Sequence, residues 1–97
     1  MLIDYKEITN LINENELNFI RIHLLSTVIK YEEIIKKEIS DFKTTNVIDI
    51  INKNIDCMKK YIGDKYGSWI FTDTKHVNKI ENFYDGVSKI YLNKFSK

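Results

Sequence analysis

His23, His76, Cys57 and Arg21 have the strongest claim to chemistry in this chain, and no two of them form a recognisable reactive spacing. A metal centre needs several Cys, His, Asp or Glu ligands converging on one point. The sequence holds no CxxC, HxxxH, HExxH or ExxH arrangement. Thiolate catalysis needs a base or a helix N-terminus close to the sulfur, whereas Cys57 stands beside Met58 in a helical pattern and reads as a buried thiol. "RIH", residues 21–23, supplies a cation and an imidazole two positions apart, about 200° around a helix, so the two side chains diverge. The serines lack a GxSxG elbow, and "GDKYG", residues 63–67, matches neither phosphate-loop pattern.

Carboxylates offer no better reaction centre. Glu32 and Glu33 stand four residues before Lys36 and Lys37, the favourable acidic-first order of a solvated helical face. Glu81 and Asp85 form a mild like-charge pair, read as surface. These residues predict a protein that is not an enzyme and has no catalytic, cofactor or metal site.

Charge points to two kinds of partner. Fifteen basic and fourteen acidic side chains leave a net charge of +1, too small to steer the whole molecule toward nucleic acid. Residues 1–50 nevertheless carry an acidic excess and residues 51–97 a basic one. Lys59, Lys60, Lys65, Lys75 and Lys79 could meet phosphates, with Tyr61, Tyr66 and Trp69 available to stack on bases. A single arginine argues against base-specific readout. Nucleic-acid binding is therefore the alternative expectation, and a protein partner the first.

The elements that must carry these residues are helical. Tyr5, Ile8 and Ile12 begin one apolar stripe, which could continue through Phe19, Ile22 and Ile29. A second runs Leu17, Ile20, Leu24, Val28, Tyr31, Ile35, Ile39 and Phe42. The stripes lie on different faces, and one helix over residues 4–42 would be about 60 Å long. A break at "NENELN", residues 13–18, is expected, with Asn13 and Glu16 suited to a capping box. After "FKTTNVID", where the period stops and Asn46 with Asp49 signals a new start, Val47, Ile51, Ile55, Met58 and Ile62 mark the next helix. Gly63 is expected at its C-terminal cap. A last helix begins near Thr74, capped by Asp73 or Thr74, with Val77, Ile80, Tyr84, Val87, Tyr91 and Phe95 as its core line. Gly86 interrupts it, suggesting close approach of another helix.

"KYGSWIFTDTKH", residues 65–76, breaks the helical pattern. Trp69, Ile70 and Phe71 are consecutive apolar residues and suit an extended connector across the bundle end. Trp69 reads first as an internal plug, and otherwise as an anchor for a partner. The chain is thus expected to form one all-α domain over residues 1–97, a small antiparallel three- or four-helix bundle with an aromatic connector before the last helix.

Beyond its main stripe, the second helix has surplus apolar residues. With the connector they define a candidate protein interface: Phe19, Ile22, Leu25, Ile29, Tyr66, Trp69 and Phe71. The expected activity is that of a small regulator or inhibitor acting by surface masking or assembly control, on another protein or as a homodimer. The lone cysteine, the absence of a signal-peptide pattern and the short apolar runs predict a cytoplasmic location without a membrane partner. The absence of proline and the fourteen lysines against one arginine suggest an A/T-biased bacterial or mobile-element genome.

Overall fold

In a computed structural model, which describes residues 3–42 and 46–95, the chain is all-α. Four long helices, α1 (Tyr5–Glu14), α2 (Arg21–Phe42), α3 (Val47–Tyr66) and α5 (Thr74–Phe95), pack with one short helical turn, α4 (Trp69–Thr72). The radius of gyration is 13.2 Å, matching the roughly 13 Å expected of a compact domain of this length.

Cross-helix pairs fix the topology. Glu38 meets Lys53 and Asn54, while His23 meets Tyr66, so α2 and α3 run antiparallel. Leu11 lies against Gly86 and Glu16 pairs with Lys79, which sets α1 antiparallel to α5. Thr27 meets Tyr84 and the Val28 carbonyl meets Tyr91, so α2 and α5 run in the same direction. The result is an up-down-up-down bundle.

The break after α1 occurs where expected but by a different device. Asn13 and Glu16 do not open a helix; they help to close one. The Leu17 N–H donates to the Ile12 carbonyl at 2.9 Å and the Glu16 N–H to the Asn13 carbonyl at 3.1 Å. This is a Schellman closure, with Glu16 at φ 56° in the left-handed position and Ile12 and Leu17 both buried beside it. A 3₁₀ turn, Asn18–Ile20, then delivers the chain into α2 with Ile20 buried and Phe19 exposed.

At the end of α3 the cap is Gly67, not Gly63. Residue 63 remains inside the helix, and Gly67 takes φ 93° while its N–H donates to the Gly63 carbonyl at 2.8 Å. The expected extended connector is instead the helical turn α4, closed by Phe71 N–H to the Ser68 carbonyl and Asp73 N–H to the Trp69 carbonyl. A turn of helix separates neighbouring residues by about 100°, so only Ile70 points fully inward. Asp73 caps α5 as expected, its carboxylate accepting the Lys75 N–H at 3.0 Å.

The core follows the two later stripes closely. Ile51, Ile55, Met58 and Ile62 of α3 meet Ile80, Tyr84, Val87 and Tyr91 of α5, with Leu24, Val28 and Ile35 from α2. Tyr5, counted in the first stripe, is 48% exposed, while Ile8 and Ile12 are buried. Gly86 does mark a close approach: a Cβ there would lie 2.6 Å from a Leu11 methyl. Of the expected interruption over residues 42–49, residues 43–45 fall outside the described residues, and α3 begins at Val47 directly after Asn46, as the Asn46 and Asp49 signal implies.

Two polar assignments are reversed. Glu32 is not on a solvated face with Lys36; it is 1% exposed and accepts the Ile3 N–H at 2.8 Å. Lys36 turns to Glu33 at 3.5 Å. Cys57 is exposed and not buried, because it lies just outside the line of Ile51, Ile55, Met58 and Ile62.

Candidate protein-interaction surface

The Schellman closure and the α4 turn bring two sequence-distant aromatics to one end of the bundle. Phe19 leaves the 3₁₀ turn outward because Ile20 and Leu17 take the inward positions. Trp69 leaves α4 outward because Ile70 fills the interior. Both flank the ring of His76 in the first turn of α5. The Phe19 and His76 ring centroids are 5.1 Å apart, and Trp69 meets His76 edge-on at 5.6 Å. Phe19 remains 52% exposed and Trp69 49%, so each has one side packed and one side toward water.

Gly67 makes room for that arrangement twice over. Its positive φ is costly for residues with a side chain, and a Cβ would sit 3.2 Å from Trp69 Cδ1. His76 is held between the aromatics, with Nε2 3.8 Å from an Asp73 carboxylate oxygen. Its Nδ1 is buried without a hydrogen-bond partner among the described residues.

The apolar surface continues along α2. Ile22 is 76% exposed and Ile29, two turns on, is also exposed. The other three expected interface residues are drawn inward: Leu25, Tyr66 and Phe71 are half-buried against the core. The Tyr66 hydroxyl is bonded to His23 Nδ1, and its pKa is raised by burial, with a smaller contribution from Tyr61. His23 packs edge-on against Tyr66 at 5.1 Å, which accounts for its position at the core edge.

The five candidate lysines separate into two groups. Lys59 pairs with Glu81 at 2.8 Å, and Lys79 with Glu16 at 3.4 Å. Glu81, expected as one of two conflicting surface carboxylates, is thus a partner across α3 and α5. Lys60, Lys65 and Lys75 are exposed. Lys59 and Lys60 also border an open groove of about 580 Å³ between α3, α4 and α5, with Gly63, Phe71 and Thr72 among its walls.

Among the described residues, no group of three or more His, Cys, Asp or Glu side chains is placed to hold a metal ion. No helix of the described residues is long and apolar enough to cross a membrane. The arrangement defines a small all-α bundle with an aromatic end and an apolar stripe on one helix. Comparison with protein-family models, curated proteins and solved structures finds no match to this chain.

The sequence pattern did not indicate the part His76 plays between Phe19 and Trp69. Its signal was local: an imidazole three residues after a helix-capping Asp, in the turn following the tryptophan. The partner aromatic, Phe19, lies too far away in sequence for any periodicity to connect the two.

Proposed function

We propose that this protein is a non-enzymatic helical interaction module, a small regulator or inhibitor that works by covering part of a protein partner or controlling its assembly. The observation that carries this reading is the convergence of Phe19 and Trp69 on His76. Large aromatics held by a neighbour on one side and open on the other are pre-arranged to enter a partner's pocket with little further loss of freedom. Ile22 and Ile29 extend that surface along α2.

Affinity capture with the full chain, using Phe19→Asp and Trp69→Asp as controls, tests it. The expected result is a partner that the wild-type chain retains stoichiometrically and both variants lose while their helical circular dichroism is unchanged. Retention by both variants would reject the aromatic end as the contact. Light scattering over a range of concentrations tests whether that partner is a second copy.

Nucleic acid remains the alternative partner, through Lys60, Lys65 and Lys75. The short ion pair of Lys59 weighs against it, since a phosphate would have to displace Glu81 at 2.8 Å. A nucleic-acid complex of this kind would weaken steeply as salt rises.

A further inference from the structure

We infer that the outer face of α2 docks an acidic amphipathic helix of another protein, not a second copy of this chain. This rests on the reading of the surface as an interaction site and names the chemistry of its partner.

Ile22, Leu25 and Ile29 have the three- and four-residue spacing of a single helical seam. Ile22 and Ile29 are exposed along it, and half-buried Leu25 forms its edge against the core. Arg21 immediately precedes Ile22 and Lys30 immediately follows Ile29. Each is offset about 100° from its neighbour, in opposite senses, so the two cations stand on opposite flanks of the seam. Both are exposed. Arg21 has no carboxylate partner among the described residues, and Lys30 rests 5.5 Å from the centre of the Tyr31 ring. The acidic residue next along this face, Glu33, stands 3.5 Å from Lys36 in an exposed pair that adds no net charge to the seam.

Charge selects the occupant. A two-fold contact would set this patch against its own copy, bringing two Arg21 and two Lys30 side chains to one rim, where the two Glu33 carboxylates, each beside its own Lys36, leave an excess of positive charge. Like charges gathered at a rim oppose association, and opposite charges steer and fix it. A partner helix with an apolar line and acidic residues on both flanks meets the seam and both cations.

The test uses two fluorescent helical peptides of equal length that share one leucine seam, flanked by glutamate in one and lysine in the other. Each is titrated with the full chain and followed by anisotropy. The glutamate peptide is expected to bind more tightly by about tenfold or more, with Ile22→Asp abolishing binding. The double variant Arg21→Glu/Lys30→Glu, both exposed positions, is expected to reverse the preference.

Equal binding of the two peptides, an unchanged preference in the charge-reversed variant, or a dimer dissolved by Ile22→Asp would overturn the acidic partner. Those results would leave the seam as a docking surface of another kind. Binding of neither peptide, together with partner capture indifferent to Phe19→Asp, would overturn the surface itself. Displacement of the glutamate peptide from the wild type by a single-stranded oligonucleotide that Ile22→Asp binds equally well would assign the face to nucleic acid.

Discussion

The inward and outward faces of α2 distribute polarity against the usual order of a bundle helix. Inside, Thr27 and Glu32 are buried, and the Val28 carbonyl accepts the Tyr91 hydroxyl at 2.8 Å. Outside, Ile22 and Ile29 face water. The inner polar groups are satisfied: Thr27 donates to the Leu24 carbonyl and meets the Tyr84 hydroxyl at 3.0 Å, and Glu32 holds the Ile3 N–H. A buried hydroxyl or carboxylate with partners is tolerated, so the inner face specifies which side chains of α5 lie opposite. Ile22, 76% exposed, gains little from the fold, and Ile29 keeps part of its side chain, 37%, in water. That difference separates what stabilises the bundle from what is left over for a partner.

The sharpest way to break this contrast is to truncate one residue on each face. Leu24→Ala removes a fully buried side chain and should cost about 2–5 kcal/mol in urea unfolding. Ile22→Ala, two residues away, should stay within about 0.5 kcal/mol of wild type. Comparable losses at both positions would mean that the outer face supports the fold.

The inner hydroxyls give the next effect. Thr27→Val deprives the buried Tyr84 hydroxyl of its side-chain partner and should cost about 1–3 kcal/mol. Adding Tyr84→Phe removes the stranded group, so the double variant should lose less than the sum of the two single ones. Equilibrium unfolding of the four proteins closes that cycle. Additive losses would mean that Thr27 and Tyr84 do not depend on one another.

Tyr84 and Tyr91 also predict how stability depends on alkali. Burial raises both hydroxyl pKa values far above the ordinary 10.0. The Thr27 hydrogen bond partly offsets the rise at Tyr84, while the charge of Glu32 adds to it at Tyr91. A raised folded-state pKa means that the unfolded chain loses its proton first. The associated stability is therefore intact below pH about 10 and falls as pH rises beyond it. Unfolding midpoints measured between pH 8 and about pH 11 should drop at the upper end, and less so in Tyr91→Phe, which cannot ionise there.

The long helices were legible because their core lines repeat at three and four residues, and the Asp73 cap and the close approach at Gly86 could be anticipated from residue type. Glu32 was not legible. Its spacing to Lys36 is that of a surface pair, whereas the path of residue 3 across α2 brings the Ile3 N–H to its carboxylate inside the fold. Cys57 was misplaced because its small apolar side chain matches either side of a helix edge. The candidate surface was half visible: the surplus apolar residues of α2 were countable, but which of them turn inward depends on the angle at which α3 and α5 pack. The meeting of Phe19 with Trp69 at His76 depends on two turns whose geometry no period records.

The first of those turns supports the smallest prediction. Glu16 occupies the left-handed region at φ 56°, where a residue with a Cβ is disfavoured by about 1–2 kcal/mol relative to glycine. Its ion pair with Lys79 is 3.4 Å long and its side chain 77% exposed, so the pair returns little. Glu16→Gly relieves the backbone cost, and the extra freedom glycine brings to the unfolded chain cancels part of the gain. The variant should be more stable by about 0.5–1 kcal/mol, read from the urea midpoint at unchanged slope. A loss of stability instead would show that the Glu16–Lys79 contact, and not the Schellman closure with Ile12 and Leu17, fixes the angle between α1 and α2, and with it the position of Phe19.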